Sequence, residues 1–341
     1  MSFRDILRLL VEGHDLSEEQ AAAAMDAVMR GAATPAQVAG FLVALRMKGE
    51  TVAEITGCAR AMRAHAVQIR PRRGPLVDIV GTGGDGSNTF NISTAAALVA
   101  AAAGAVVAKH GNRAVSSRCG SADVLEALGL RLDLTPEQVC ACIEETGFGF
   151  MFAPLYHGAM KHAAAPRKEL GVRTVFNILG PLTNPAGAEA YVLGVYDGRL
   201  VPVVAQVLHA LGARRAYVVH GAPGMDELSV CGPTTAAVVT EDGVRELVVE
   251  PEELGLERGD PAALAGSDAE GNARRIVDIL QGREQGAGRD AVALNAGAAL
   301  AASGLAASLA DGVAKAQAAI ESGAAYRKLE ELRRFTRSLA A

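Results

Sequence analysis

The residues from Gly81 to Thr94, GTGGDGSNTFNIST, are the densest group in this chain able to do chemistry. Gly81, Gly83, Gly84 and Gly86 are followed by Ser87, Asn88, Thr89, Asn91, Ser93 and Thr94. Glycine accepts positive φ and lets backbone N–H groups come close to a ligand. A helix beginning behind such a turn adds unpaired N–H groups and a partial positive charge. Together they suit phosphate or pyrophosphate; a plain strand-to-helix turn is the competing reading. The pattern GxxxxGK[ST] is excluded, because the first lysine beyond the loop is Lys109. G-x-G-x-x-G can be laid on Gly81, Gly83 and Gly86. However, the polar run Ser87 to Asn91 then delays the helix, and no acidic strand end follows, which disfavours a nicotinamide cofactor.

Three further segments carry reactive types. KHGNRAVSSRCGSADVLEALG, Lys109 to Gly129, begins where a Val106-Val107 strand is expected to end. Lys109 and Arg113 offer cations, and Asn112, Ser116, Ser117 and Ser121 offer neutral donors; a lysine suits phosphate as a mobile point charge. The alternative is a solvated basic loop. Asp226-Glu227, in Gly224-Met225-Asp226-Glu227-Leu228-Ser229, are adjacent carboxylates in a loop, where both can reach one cation. Magnesium takes a few carboxylates plus phosphate oxygens; taken alone, the pair fits an exposed acidic turn better. Arg167, before the run Leu170 to Asn177, is either a clamp for a substrate carboxylate or a surface arginine paired with Glu169.

These groups need a scaffold to bring them together. Residues 1 to about 67 read as helices only: Phe3, Ile6, Leu7 and Leu10 share a helical face, and Ser17-x-x-Gln20, Thr34-Pro35-Ala36-Gln37 and Thr51-x-x-Glu54 are helix starts. Pro71-Arg72-Arg73-Gly74 reads as a linker. Beyond it, Leu76–Val80, Ala105–Ala108, Ala190–Val195 and Ala216–His220 are short β-rich runs. Helical patterns over Ile92–Ala103 and Val203–Leu211 alternate with them. That is an α/β domain with a mostly parallel central sheet flanked by helices, beside a small all-helical domain. Thr234–Thr240 and Val244–Val249 flank Glu241-Asp242-Gly243 as an antiparallel pair. Ala291–Ala302 and Asp311–Arg337 read as helices. Residues 154 to 180, with His157, His162, Arg167 and Gly180-Pro181, interrupt the alternation and are expected to return to the helical unit. The expected helical domain is therefore 1–70 with a returning segment of about 155–185, and the α/β domain 71–154 with 186–341; a ligand cleft would lie between them.

Composition limits the function classes. Half of the 341 residues are hydrophobic, enough for a sizeable core, and the formal net charge of −5 disfavours a general nucleic-acid binder. Cys58, Cys119, Cys140, Cys142 and Cys231 form no CxxC pair and are odd in number, against a disulfide framework or a structural zinc. Without a signal-peptide pattern or an apolar run long enough for a bilayer, a cytoplasmic location and no membrane partner are expected.

Taken in order, the four segments resemble the anthranilate phosphoribosyltransferase family of tryptophan biosynthesis, across essentially the whole chain. The matching stretches are GTGGDG…NTFNIST, KHGNRAVSS…GSADVLEALG, Arg167 with RTVFNILGPLTNP, and MDELS. The chain departs from the family pattern at His157-Gly158, where the family usually has His-Pro, which bears on local loop geometry. The resemblance implies a nucleoside phosphorylase type II-like fold and a homodimer formed through the helical domains. It implies that Gly81, Gly84, Asp85, Thr89, Asn91, Ile92, Ser93 and Thr94 hold phosphoribosyl pyrophosphate. On the opposite side, Lys109, His110, Gly111, Asn112, Arg113, Ala114, Val115, Ser116, Ser117 and Ser121 would hold the same substrate. Ser93, Asp226 and Glu227 would bind Mg²⁺. Gly81, Asn112 and Arg167 would contact anthranilate, with His110, His157 and Pro181 nearby. Lys109 and Arg167 would act as positioning groups, with no acid or base required, since an aromatic amine is already neutral at pH 7. Two other classes remain: a pyrimidine nucleoside phosphorylase-like enzyme, disfavoured by NTFNIST and GPLTNP, and a non-catalytic nucleic-acid-binding relative, disfavoured by the acidic balance and the retained Asn112 and Arg167.

Overall fold

The computed structural model describes residues 1–114 and 118–339. Its N-terminal part is four helices: α1 (Phe3–Val11), α2 (Glu18–Met29), α3 (Pro35–Lys48) and α4 (Val52–His65). All four begin with a reciprocal capping box, from Ser2 with Asp5, Ser17 with Gln20, Thr34 with Gln37 and Thr51 with Glu54. Each box satisfies two backbone donors that the first turn leaves open, so these starts are fixed locally. α3 stops at Gly49.

The α/β part runs β1 (Leu76–Gly81), α5 (Ile92–Ala102), β2 (Val106–Gly111), α6 (Ser121–Ala127), α7 (Pro136–Thr146) and β3 (Phe148–Phe152). It continues with α8 (Ala153–Tyr156), α9 (Lys161–Leu170), α10 (Phe176–Leu179), β4 (Ala190–Gly194), α11 (Leu200–Ala210), β5 (Arg215–Gly221), β6 (Thr234–Thr240) and β7 (Gly243–Val249). Four helices close the chain: α12 (Ala269–Leu280), α13 (Ala287–Ala302), α14 (Leu309–Glu321) and α15 (Ala324–Ser338). The strand order is β3-β2-β1-β4-β5-β6-β7. β1 to β5 are parallel; β6 and β7 add on antiparallel, as the turn at Asp242-Gly243 leads one to expect.

Both faces of the sheet are covered, which is why its strands read as continuous apolar runs. On one face Val77, Ile79 and Val192 pack against α5 and α12 to α15. On the other, Tyr191, Leu193 and Val218 pack with α11 and with the apolar sides of α1 to α4. α9 packs on α3 and α2, so the segment after β3 lies against the N-terminal helices.

The structure departs from the sequence expectations in three places. β2 runs through Lys109 and His110 to Gly111, so the two cationic-type residues stand on a strand and not in a loop. Asp311–Arg337 is two helices, broken where Gly323 takes φ +70° after Ser322. β3 is not among the expected strands: it pairs with β2 from Val107↔Phe148 to Gly111↔Phe152 as the edge of the sheet.

Candidate active site

The carboxyl ends of β1 and β2 and the loop after β5 open on one side into a cavity of about 410 Å³, within the range of small-molecule sites. Across it stand residues from the segment after β3, including Ala153, Arg167, Phe176 and Pro181. Ligands in open α/β folds bind at this end of the strands.

The glycine loop leaves β1 with Gly83, Gly84 and Gly86 all at positive φ, and Asn88 at +50°. The helix behind it starts only at Ile92, after the polar run. The N-cap residue Asn91 makes no side-chain cap on α5, whose first turn lies at the cavity. The Ser93 N–H points to Glu227 Oε1 at 3.2 Å, and the Gly83 N–H to Asp226 Oδ2 at 2.7 Å. Thr94 adds a buried hydroxyl that has no partner among the described residues and lines the same space.

Asp226 and Glu227 are thus no exposed acidic turn. They close the floor of the cavity, tied back to the loop and to α5. Burial, then the charge of Asp85, pushes the Asp226 carboxyl up to about 7; burial, then Asp226, pushes Glu227 up to about 8. Two enclosed carboxylates that resist ionising together, beside phosphate-type donors, form an oxygen set suited to a hard divalent cation. Asn295 of α13, fully buried, fixes the chain just beyond: its Oδ1 accepts from Leu228 N at 3.0 Å and its Nδ2 donates to Leu228 O at 2.9 Å.

The Asp226 backbone lies directly against the ends of β1 and β4. A Cβ on Gly194 would run into the Asp226 carbonyl, and one on Gly81 into the Asp226 carboxylate. Gly194→Ala is therefore expected to cost about 1–3 kcal/mol of stability through overpacking. Chemical denaturation measures this, and an unchanged unfolding free energy would contradict so close an approach.

Lys109 is 2% exposed, and its ammonium donates to Ile79 O and, at 3.4 Å, to Ser93 Oγ. Burial lowers its pKa against the raising charges of Asp78, Glu227 and Asp226. His110 follows at 5% exposure, with Nε2 unpartnered among the described residues and its ring 5.0 Å from that of His157. Burial, with His157 adding to it, pushes His110 down to about 3, so it stays neutral. The unfolded chain takes up a proton near pH 6.5 that the folded protein refuses, so the stability tied to neutral His110 is lost as pH falls below 6.5. His110→Gln is expected to lose less stability between pH 7.5 and pH 5 than the parent, by roughly 2 kcal/mol. Melting curves at the two pH values test it; equal losses would mean that His110 charges while folded.

Arg167 does not pair with Glu169. Its guanidinium lies 4.8 Å over the Phe176 ring, burial is the one influence lowering its pKa, and it lines the cavity. Gly81, Gly84, Asn91, Gly111, Asn112, Ala114, Ser121 and Pro181 also line the cavity. Arg113 reaches it too, but its guanidinium is held by Asp123 at 3.0 Å and Glu126 at 2.7 Å of α6.

Other expected residues stand behind the wall. Asp85 braces the loop itself, accepting from Ser87 Oγ at 2.6 Å and Asp226 N at 3.2 Å. Thr89 bridges to Ala265, and Ile92 is buried in the core. His157 is absent from the cavity lining, its ring 5.0 Å from that of His110. Val115, Ser116 and Ser117 lie outside the described residues.

Several contributors escape sequence reasoning. Arg173 reaches over to donate to Gly84 O while lying 4.1 Å over the Tyr196 ring, tying the segment after α9 to the glycine loop. Asp123 accepts from Ala114 N and Gly120 N, closing the base of the loop after β2. Asn272 donates to Asn91 Oδ1 at 3.0 Å, and Asn91 Nδ2 to Cys119 O at 3.1 Å. Only the Asp in an otherwise apolar strand, Asp78, carries a sequence signal, since a buried carboxylate needs partners.

Comparison with known proteins agrees with this arrangement. Residues 4–66 match the helical bundle domain of a glycosyl transferase family, and residues 73–326 match its α/β domain. An anthranilate phosphoribosyltransferase from Geobacter sulfurreducens is 56% identical, covering 95% of this chain and 96% of the relative. The crystal structure of the enzyme of that name from Thermus thermophilus superposes with a TM-score of 0.92 at 52% identity, over 98% of this chain and 99% of the other. The Saccharomyces cerevisiae enzyme, solved in complex with PRPP and Mg, gives 0.89 at 30% identity, with 98% of each chain covered.

Proposed function

From the premise that this chain belongs to the anthranilate phosphoribosyltransferases of the glycosyl transferase family, we infer how its residues carry out the transfer. It is an enzyme that moves the phosphoribosyl group of phosphoribosyl pyrophosphate to the amine of anthranilate, giving N-(5-phosphoribosyl)anthranilate and pyrophosphate, in tryptophan biosynthesis. The observation that carries the assignment of roles is one cavity joining a helix start that its N-cap residue leaves uncapped, two enclosed carboxylates and a half-buried arginine without a carboxylate partner among the described residues.

The donor's phosphates lie against the glycine loop and the first turn of α5, with Lys109 at their floor. Ser93, Asp226 and Glu227 would hold Mg²⁺, which when bound neutralises pyrophosphate oxygens. Support for magnesium comes from the enclosed carboxylate pair and the Mg-bound yeast relative. Arg167 offers a two-pronged donor to the anthranilate carboxylate, while Phe176 and Pro181 give the ring an apolar wall. With both substrates held, the neutral amine attacks the anomeric carbon as the C–O bond to pyrophosphate breaks on the opposite side. The amine's lone pair forms the new C–N bond, and the leaving oxygen keeps the electron pair. The amine then loses a proton to water, so positioning and leaving-group stabilisation supply the catalysis.

The test is anthranilate fluorescence with phosphoribosyl pyrophosphate and Mg²⁺, against omission of each. Consumption without the donor, or with inorganic phosphate in its place, would overturn the reading. We further infer a homodimer formed through the N-terminal helices, supported by the exposed apolar Val11 and Met47 on that unit, and a cytoplasmic enzyme. No described helix is long and apolar enough to cross a membrane.

A further inference from the structure

β1 and β2 do not stay paired along their length. Their register ends at Val77↔Val107, although β1 continues alongside β4 to Gly81↔Gly194 and β2 alongside β3 to Gly111↔Phe152. The ladder therefore splits between these two strands while both run on to the cavity. Backbone groups freed by such a split and buried from water need other partners.

Side chains supply them. Asp78, fully buried, accepts from His110 N at 3.2 Å through Oδ1 and from Asn184 Nδ2 at 2.7 Å through Oδ2. The same Asn184 amide donates to Ala108 O at 2.8 Å, and its Oδ1 accepts from Ala186 N at 2.9 Å. From the other strand, the Lys109 ammonium donates to Ile79 O. Residues 78–79 and 109–110 are thus cross-braced by side chains where the ladder has stopped.

Charge points the same way. Three carboxylates act on the buried ammonium: Asp78, Glu227 and Asp226. The last two are the proposed cation ligands, and their charge is directed to the metal when it is present. The charge of Lys109 is in turn the largest influence holding the Asp78 carboxyl down against burial. An ion taken out of water is retained in charged form only with a partner of this kind.

We propose that Asp78 is a positioning residue for the transfer: it bridges the split between β1 and β2 and balances Lys109, fixing the ammonium at the floor of the phosphate site. This rests on the functional reading above. It assigns Asp78 no contact with either substrate; its action on the donor passes through Lys109 and the β2 backbone.

The experiment is a double-mutant cycle of Asp78→Asn and Lys109→Gln, run at pH 8 on the full chain with two readouts. In steady-state kinetics, Asp78→Asn is expected to raise the KM for phosphoribosyl pyrophosphate about tenfold or more while the anthranilate KM stays within about twofold; in the Lys109→Gln background it should add less than about twofold. A purely structural role would lower the folded fraction without separating the two KM values. In thermal melting without substrate or metal, Asp78→Asn should lower the melting temperature less in the Lys109→Gln background than in the parent, because the two buried charges act on one another. An unchanged donor KM, or effects that multiply fully in the double variant, would overturn the proposal. If Asp78→Asn does not fold, the comparison of the double variant with Lys109→Gln decides it, and a donor KM more than about twofold above that of Lys109→Gln overturns it. Failure of the parent protein to consume anthranilate would sink the functional reading and leave the melting comparison standing.

Discussion

Replacing Asp226 and Glu227 together by alanine is expected to lower turnover by at least about 10²–10³-fold while the protein stays folded. The two carboxylates contribute no apolar packing. They lie in a loop whose position is set elsewhere, by Asn295 beneath Leu228 and by the close approach of Gly194 to the Asp226 backbone. Their folded pKa values, about 7 and about 8, are raised above the usual carboxylate range by burial and by neighbouring carboxylates. Such a group destabilises the fold wherever the unfolded chain would ionise it and the folded state resists. The penalty starts above pH 4 and is complete once pH passes the folded value. At pH 8 without metal, the double variant should therefore melt no lower than the parent. Added magnesium should raise the melting temperature of the parent and leave that of the variant unchanged. Rates over a magnesium titration, with circular dichroism melts, read all three effects. A double variant with near-normal rate and the parent's magnesium dependence would remove the cation site from these residues.

The second large effect is expected at Arg167, and it should separate the substrates. Arg167→Ala should raise the anthranilate KM about ten- to a hundredfold, the loss of a charge-assisted contact worth roughly 1.5–3 kcal/mol. The guanidinium is held over Phe176 and is largely withdrawn from water. It is thus preorganised for an incoming carboxylate and loses little freedom on binding. The donor KM should change little, because the groups proposed to hold phosphate, the glycine loop, α5 and Lys109, are separate from Arg167 and make no described hydrogen bond to it. Paired saturation curves give the answer. A raised donor KM with anthranilate untouched would reverse the assignment. Equal shifts in both would point instead to closure between the helical and α/β parts, since Arg167 lies on α9, which packs against α2 and α3.

Much of the local structure is legible from sequence because its causes are local. A capping box needs only residues three apart, and all three helix starts read from Ser17, Thr34 and Thr51 form. The sixth and seventh strands are equally plain, since a tight turn at Asp242-Gly243 joins two β-rich runs. The glycine loop followed by a delayed helix start is legible for the same reason: positive φ at Gly83, Gly84 and Gly86 is a property of those residues themselves. Apolar patterning points to a strand–helix alternation, and the net acidic charge points away from a basic nucleic-acid binder.

What the chain determined by itself was therefore its elements, their order and the chemical types gathered near strand ends. Tertiary structure decided which of those types face the cavity. Lys109 and His110 read as loop residues because charge and imidazole end an apolar run. They stand on a strand because Ile79 O, distant in sequence, accepts from the Lys109 ammonium and Asp78, itself held by Asn184, accepts from the His110 N–H. Asp226-Glu227, taken alone, read better as an exposed turn; hydrogen bonds from the glycine loop and α5 enclose the pair at the cavity instead. The third strand escapes notice because five apolar residues after a helix have no distinguishing period, and pairing with β2 alone makes them a strand. Arg113 has the right type but is drawn away by two carboxylates on α6, a competition visible only once the helix is in place. In each case the deciding interaction is long-range: burying a charge is costly, and its partners come from wherever the fold brings them.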